Sequence, residues 1–248
     1  MNHSMRTPAR RVLLVMSMIF GTVPATAPAQ TSANWQVEPF KATYSVRIGP
    51  AKAQTTVALV TLDDQRLRAE STTRARGIAS WFKRGNVDEK TTFDVVDGKP
   101  VVRSLFRRDS LSSDDRNIDI AYRPEDGTAR VQRSTGEDVV TVANDVTNPL
   151  LMQITLMQQL ANNSLPESYV VLDYKGIQTY RITERDPEVI RTAAGKYAVR
   201  VIDLIETSSN TGTRVFVAED EQWLAVRIEA RKDDRSVAVL SLTDIERR

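Results

Sequence analysis

Ser80 and Lys83, in "SWFK", stand at the S-x-x-K spacing. At that spacing a serine that opens a helix can have its proton managed by a lysine one turn later, as in acyl transfer by serine β-lactamases. Such a site also needs S-D-N and K-T-G partners and a large helical subdomain. The chain offers only "SDD" at Ser113–Asp115 and "KTT" at Lys90–Thr92. Neighbouring carboxylates occur at Asp88-Glu89, within "SDD", at Glu125-Asp126 and at Glu219-Asp220-Glu221. Paired carboxylates can hydrolyse a glycosidic bond or hold calcium, but these fall in or beside turn signals, where acids are ordinarily solvated, and no D-x-D-x-D-G spacing occurs. The single histidine of the 248 residues is His3, and there is no cysteine. With His3 removed in a cleaved leader, imidazole and thiolate nucleophiles and the usual zinc and copper sites are excluded. Any enzyme reading must then run on carboxylates, Lys, Ser or Tyr; the expectation is no enzyme, no metal and no cofactor.

His3 belongs to a segment that reads as a secretory signal. Arg6, Arg10 and Arg11 precede a mostly apolar run from Val12 to Val23, and Ala27-Pro28-Ala29 forms a small-x-small cleavage site before Gln30. The apolar run is shorter than the ~20 residues of a membrane span, and no Cys follows the cleavage site to take a lipid. The expected product is residues 30–248, one soluble domain exported to the periplasm of a Gram-negative bacterium. The leader carries three Arg and no acid, so the 34 basic and 32 acidic residues of the whole chain become 31 and 32. A near-neutral chain has no general attraction for nucleic acid.

The other candidate residues suit binding. "GIASWFKRG" sets Trp81 and Phe82 before Lys83 and Arg84, between Gly77 and Gly85. An apolar tip between polar strands must be tucked under the sheet as a plug or be available to a ligand, client or bilayer. The two cations following it suit a head group or an anionic membrane surface. The expectation is a rim position, with both rings at the mouth of a cavity. Arg103, Arg107 and Arg108 form a second basic cluster that could face phosphates or a solvated strand surface.

These residues must be positioned by strands. Period-2 alternation dominates: "FKATYSVRI" places Phe40, Ala42, Tyr44, Val46 and Ile48 on one face, and "QWLAVRIEARK" places Leu224, Val226, Ile228 and Ala230 opposite Arg227, Glu229 and Arg231. Turn signals such as "LDDQ", "VDGK", "TAAGK" and "SNTG" punctuate the chain in the manner of an antiparallel meander. "RLRAESTTRAR" has small residues, Ala69, Ser71, Thr73 and Ala75, on one face, which leaves either space or an edge strand. One segment differs. "NPLLMQITLMQQLANN" predicts a helix from Pro149 to Asn162, capped by Asn148. Leu150, Ile154, Met157 and Ala161 share its main stripe, while Met152 and Leu156 lie near the opposite side. That second stripe is either ordinary core or the lining of an apolar cavity, to which Leu150, Met152, Leu156, Met157 and Leu160 would contribute.

"ATYSVRIG", "GIASWFKRGNVDEKTTF", "AAGKYAVRVIDL" and "EDEQWLAVRIEARKD" follow in this order, and in that order the chain resembles the domain-of-unknown-function 3108 family of exported bacterial proteins. It departs from the family's pattern in "IGPAKAQT", which lacks a second Gly, and at Ala225, where Pro is usual. The resemblance implies a strongly curved antiparallel sheet similar to the half-barrels of the LolA and LolB lipoprotein carriers. It carries over no catalytic residue.

The resulting expectation is a mainly β protein, one open or half barrel of roughly ten strands with a single helix across its concave face. Its expected function is non-enzymatic binding of an acyl chain, another hydrophobic ligand or a lipidated client. The alternatives are an envelope scaffold with a filled barrel, acting through protein contacts, and a carboxylate-based hydrolase of envelope polymers. An envelope protein or a membrane surface is the expected partner, and nucleic acid is not.

Overall fold

Side-chain alternation becomes strand after strand in the computed structural model, which describes residues 34–76, 85–112, 116–209, 211–233 and 235–247. The first meander comprises β1 (Phe40–Ile48), β2 (Ala51–Thr61), β3 (Arg66–Arg76), β4 (Asn86–Val96), β5 (Lys99–Asp109), β6 (Ile118–Arg123), β7 (Thr128–Arg133) and β8 (Gly136–Thr141). Helix α1 (Pro149–Ala161) follows. The second meander is β9 (Ser168–Asp173), β10 (Gly176–Arg191), β11 (Lys196–Glu206), β12 (Thr211–Ala218), β13 (Leu224–Lys232) and β14 (Arg235–Arg247).

All of these strands join one antiparallel sheet of 14 strands, in the order β8-β7-β6-β5-β4-β3-β2-β1-β14-β13-β12-β11-β10-β9. Roughly ten strands were expected. Short pieces such as β6 to β8, of six residues each, give little periodic signal. Pairing of β1 with β14 welds the two meanders at the centre, from Phe40↔Arg247 to Arg47↔Val239. The sheet does not close. β8 and β9 are its edges, and Thr147 makes a one-residue parallel bridge onto β9 at Val171. The Tyr122 hydroxyl of β6 donates to the Leu172 carbonyl of β9 at 3.3 Å, so the two halves curl toward each other around the helix.

The expected helix forms with the expected caps. The Asn148 side chain accepts from the Leu151 N–H at 3.0 Å, Pro149 occupies the first turn, and the chain leaves through Asn162 and Asn163, the latter at φ 49°. α1 runs against β3, β4, β5 and β9. The small inward residues of β3, Ala69 and Ser71, are buried there, so the space they leave admits the helix. Gly85 opens β4 where that strand crosses the end of β5. A Cβ at this residue would lie 2.5 Å from Ser110 Oγ and 3.0 Å from the Ser110 carbonyl oxygen, so only glycine fits.

The alternation expected for β13 fails at one point. Phe216 pairs with Arg227, but Val217 pairs with Ala225, leaving Val226 as the extra residue of a β-bulge. Leu224 and Val226 therefore join one core cluster and Ala225 and Ile228 another. Strands β11 and β12 are apolar on both faces through consecutive buried residues of their own, such as Val201-Ile202 and Val215-Phe216-Val217, and the bulge gives β13 the same character. Val199, Val201 and Phe216 belong to the principal cluster, whereas Ile202, Leu204, Val215 and Val217 form the floor beneath the second side of α1. Among the described residues, no helix is long and apolar enough to cross a membrane.

Candidate functional site

The sequence singled out α1 for its second apolar stripe, and the sheet covers both stripes. Leu150, Leu151, Ile154 and Met157 pack into the principal cluster with Phe40, Tyr44 and Phe93. Met152, Leu156 and Leu160 pack on Tyr169, Val171, Ile202, Leu204, Val215 and Val217. Among the described residues, the pocket beside the helix that is lined by Phe40, Tyr44, Ile154, Leu156, Met157 and Trp223 holds about 10 Å³. That is roughly the room for one water molecule, and an acyl chain needs many times more. The expected ligand-lining residues Leu150, Met152, Leu156, Met157 and Leu160 are thus core residues in this structure, because the doubly apolar strands β11 to β13 supply the surface that a ligand would otherwise supply.

Buried polar groups lock the helix in place. Asn148 Nδ2 donates to Thr91 Oγ1 at 2.8 Å, and Thr91 Oγ1 donates to the Ser104 carbonyl at 2.8 Å. Gln158 is buried with all its groups used. Its Nε2 donates to the carbonyls of Asn34 and Gly98, and its Oε1 accepts from the Gln36 N–H at 2.8 Å. Opening α1 as a lid would exchange these hydrogen bonds for bonds to water, a net cost of about 0.5–1.5 kcal/mol for each, in addition to exposing the helix's apolar stripes.

The candidate catalytic groups are dispersed. Asp88 and Glu89 are consecutive in β4 and point to opposite faces; Asp88 accepts from Thr72 Oγ1 at 2.8 Å and Glu89 meets Arg107 at 2.6 Å. They lie within a strand and not in the turn expected for them. Glu219 to Glu221 form a 3-10 turn in which Glu221 pairs with Arg247 at 3.1 Å. Among the described residues, no cluster of three His, Cys, Asp or Glu could hold a metal. Ser80, Trp81, Phe82, Lys83 and Arg84, and the "SDD" residues Ser113 to Asp115, lie outside the described residues.

The basic cluster is neutralised. Arg103 meets Asp94 at 2.7 Å, Arg107 meets both Glu89 and Asp109, and Arg108 meets Asp119 at 2.8 Å. Arg107 also lies 5.3 Å from the centre of the Tyr174 ring, joining the end of β5 to the β9–β10 turn. In that turn, burial is the main influence on the Asp173 carboxyl and holds its pKa above the usual carboxylate range, although the Lys175 N–H donates to it.

A different set of cations was missed in the sequence. On the sheet face opposite the helix, Arg47, Lys52 and Arg76 stand in one cross-strand row on β1, β2 and β3, with Arg47↔Lys52 and Lys52↔Arg76 in register. They line a groove of about 610 Å³ with Ser45, Gln54, Arg227 and Ser241. Arg76 donates to Gln54 Oε1, and Arg227 pairs with Glu229 at 2.7 Å. Arg47 and Lys52 have no carboxylate partner among the described residues. The "IGPA" turn, which sets Arg47 opposite Lys52, was the one local signal for this row; Arg227 comes to it only through the β1–β14 and β13–β14 pairings.

Among solved structures, the chain is similar to a β-barrel-like protein of the domain of unknown function DUF1849 from Brucella abortus. The TM-score is 0.54 at 11% identity, over 86% of this chain and 99% of that one. Fainter likenesses are to the MucA/MucB complex of Pseudomonas aeruginosa (TM-score 0.39, 9% identity, 84% of this chain and 51% of that one) and to a putative lipoprotein of Parabacteroides distasonis (TM-score 0.36, 10% identity, 86% and 97%). No curated protein matches in sequence. The profile of the family described as "Protein of unknown function (DUF3108)" matches residues 37–242.

Proposed function

We propose a function from the geometry, since the chain belongs to the DUF3108 family of proteins of unknown function. The protein is a non-enzymatic accessory module of the cell envelope, with a filled half barrel, that works through contacts on its outer surface. One observation carries this reading: among the described residues both stripes of α1 pack into the buried clusters of the sheet, and the pocket lined by Phe40, Tyr44, Ile154, Leu156, Met157 and Trp223 holds about 10 Å³. A carrier of acyl chains needs an interior it can empty and fill. Here the interior is side chains, and the helix that would have to move is tied down by Asn148 and Gln158. The dispersal of the carboxylates supports a role without catalysis. Export rests on the leader of residues 1–29, and the stretch Trp81, Phe82, Lys83 and Arg84 is a second contact element, directed at a client or membrane surface.

Native mass spectrometry of protein purified from the periplasm tests this reading. The expected result is the bare mass of residues 30–248. A lipid retained in stoichiometric amount would overturn the filled-core reading and restore the carrier.

A further inference from the structure

The row of Arg47, Lys52 and Arg76 runs against the habit of this sheet. Four cations face an acid on the adjacent strand: Lys41↔Glu246, Arg66↔Asp94, Glu89↔Arg107 and Asp203↔Arg214 are in direct register and ion-paired. Two cations face each other at the hairpin ends Arg191↔Lys196 and Lys232↔Arg235, but neither pair continues to a third cation on the next strand. Like charges directly opposite one another destabilise a sheet, and here three stand in succession. The row ends at Val239, in register with Arg47. Beyond it Glu229 is already engaged by Arg227, by Arg231 at 3.9 Å and by Ser236 Oγ at 2.6 Å. No carboxylate lines the groove, and Arg227 keeps a buried Nε without a hydrogen-bond partner among the described residues.

From this geometry we infer that the groove is a binding site for a phosphate-type oxyanion. Arg47, Lys52 and Arg76 supply the charge, and Ser45, Gln54 and Ser241 supply neutral polar groups around it. A bound anion turns the repulsive row into a neutralised one, which accounts for a feature that serves the empty sheet poorly. The groove's size, about 610 Å³, lies within the ~300–1,000 Å³ range of small-molecule sites. At the same end of the strands Ile48, on the other face of β1, and Val237 are 55% and 48% exposed, so the hairpin end beside the row also carries apolar surface. The same chemistry therefore suits the phosphate of an anionic lipid head group or a phosphate carried on a soluble molecule.

Titration of residues 30–248 at low salt tests the site with two probes: inositol hexakisphosphate, by calorimetry, and vesicles of phosphatidylglycerol against phosphatidylcholine, by co-sedimentation. Binding to the soluble probe assigns a free phosphate source, and binding to phosphatidylglycerol alone assigns a lipid head group; either supports the site. In both cases the double variant Arg47→Gln/Lys52→Gln should bind on the order of 25-fold more weakly, about fivefold per cation. Lys41→Gln, whose partner is Glu246, should bind as the wild type does. The wild-type affinity should fall as salt rises. The double variant should also melt at the same temperature as wild type or slightly higher at low salt, since repulsion is removed. Failure of the wild type to bind either probe, undiminished binding by the double variant, or a lowered melting temperature would each overturn the inference. The mass measurement above addresses the interior, so the two readings stand or fall separately.

Discussion

Truncating Leu156 to alanine separates a filled interior from a hollow one. Leu156 is 2% exposed, on the side of α1 that the sequence left open to a ligand, and it packs with Ile202, Leu204, Val215 and Val217 of β11 and β12. The substitution removes three carbon groups, about 2.4 kcal/mol at ~0.8 kcal/mol per buried group. A cavity term adds to this, because the surrounding strands are buried on both faces and cannot collapse inward. The expected cost is about 3–4 kcal/mol, within the range seen for buried leucines. Chemical denaturation followed by tryptophan fluorescence reads it directly, since Trp223 packs against both clusters. The midpoint should fall with the denaturant slope unchanged. Leu156→Asp should fail to fold, because it buries a carboxylate among apolar side chains with no partner. A cost below about 1 kcal/mol for Leu156→Ala, with Leu156→Asp still folded, would refute the reasoning: Leu156 would then line a space that already tolerates water or ligand.

Other outcomes follow from single groups. Tyr44→Phe removes the buried hydroxyl that donates to the Ala225 carbonyl at 2.8 Å, and should cost about 1–2 kcal/mol in the same assay. Burial raises the ionisation of Tyr44, Tyr122 and Tyr169 well above the ordinary value, and that of Tyr180 is pushed up to about 12. The unfolded chain loses these protons first, so the stability they confer is complete below about pH 10 and declines as pH rises further. The denaturation midpoint should be flat from about pH 8 to 9.5 and fall above pH 10, and a midpoint rising there would contradict the burial of these rings. Replacing Trp81 and Phe82 together by alanine should cost well under the ~3–5 kcal/mol of one buried aromatic, while weakening association with anionic vesicles; a full loss of stability would make the pair a core plug. N-terminal sequencing of exported protein should begin at Gln30, and an intact Met1 would refute the leader assignment.

What the sequence determined by itself was local. The cap and stop of α1 are set by Asn148, Pro149 and Asn162, which act within one helical turn, and the helix formed where those residues placed it. Of the set Phe40, Ala42, Tyr44, Val46 and Ile48 read from alternation within one strand, the first four are buried, while Ile48, the last residue before the hairpin turn, is 55% exposed. The mainly β class and the curved open sheet with one helix were likewise legible, from the recurrence of such strands and from the family resemblance. Tertiary structure decided whatever depends on pairing between distant segments. The weld of β1 to β14 joins residues about 200 apart in the chain, and a register of that kind leaves no local mark. The bulge at Val226 exists only relative to its partner β12, so alternation alone misassigned Ile228 to the face of Leu224. The second stripe of α1 was visible as residue types, but its covering was not: a methionine or leucine faces a ligand and a β-strand with the same side chain. Likewise Arg47, Lys52, Arg76 and Arg227 read as scattered surface cations until four strands set them around one groove, because charge repels through space and not along the chain.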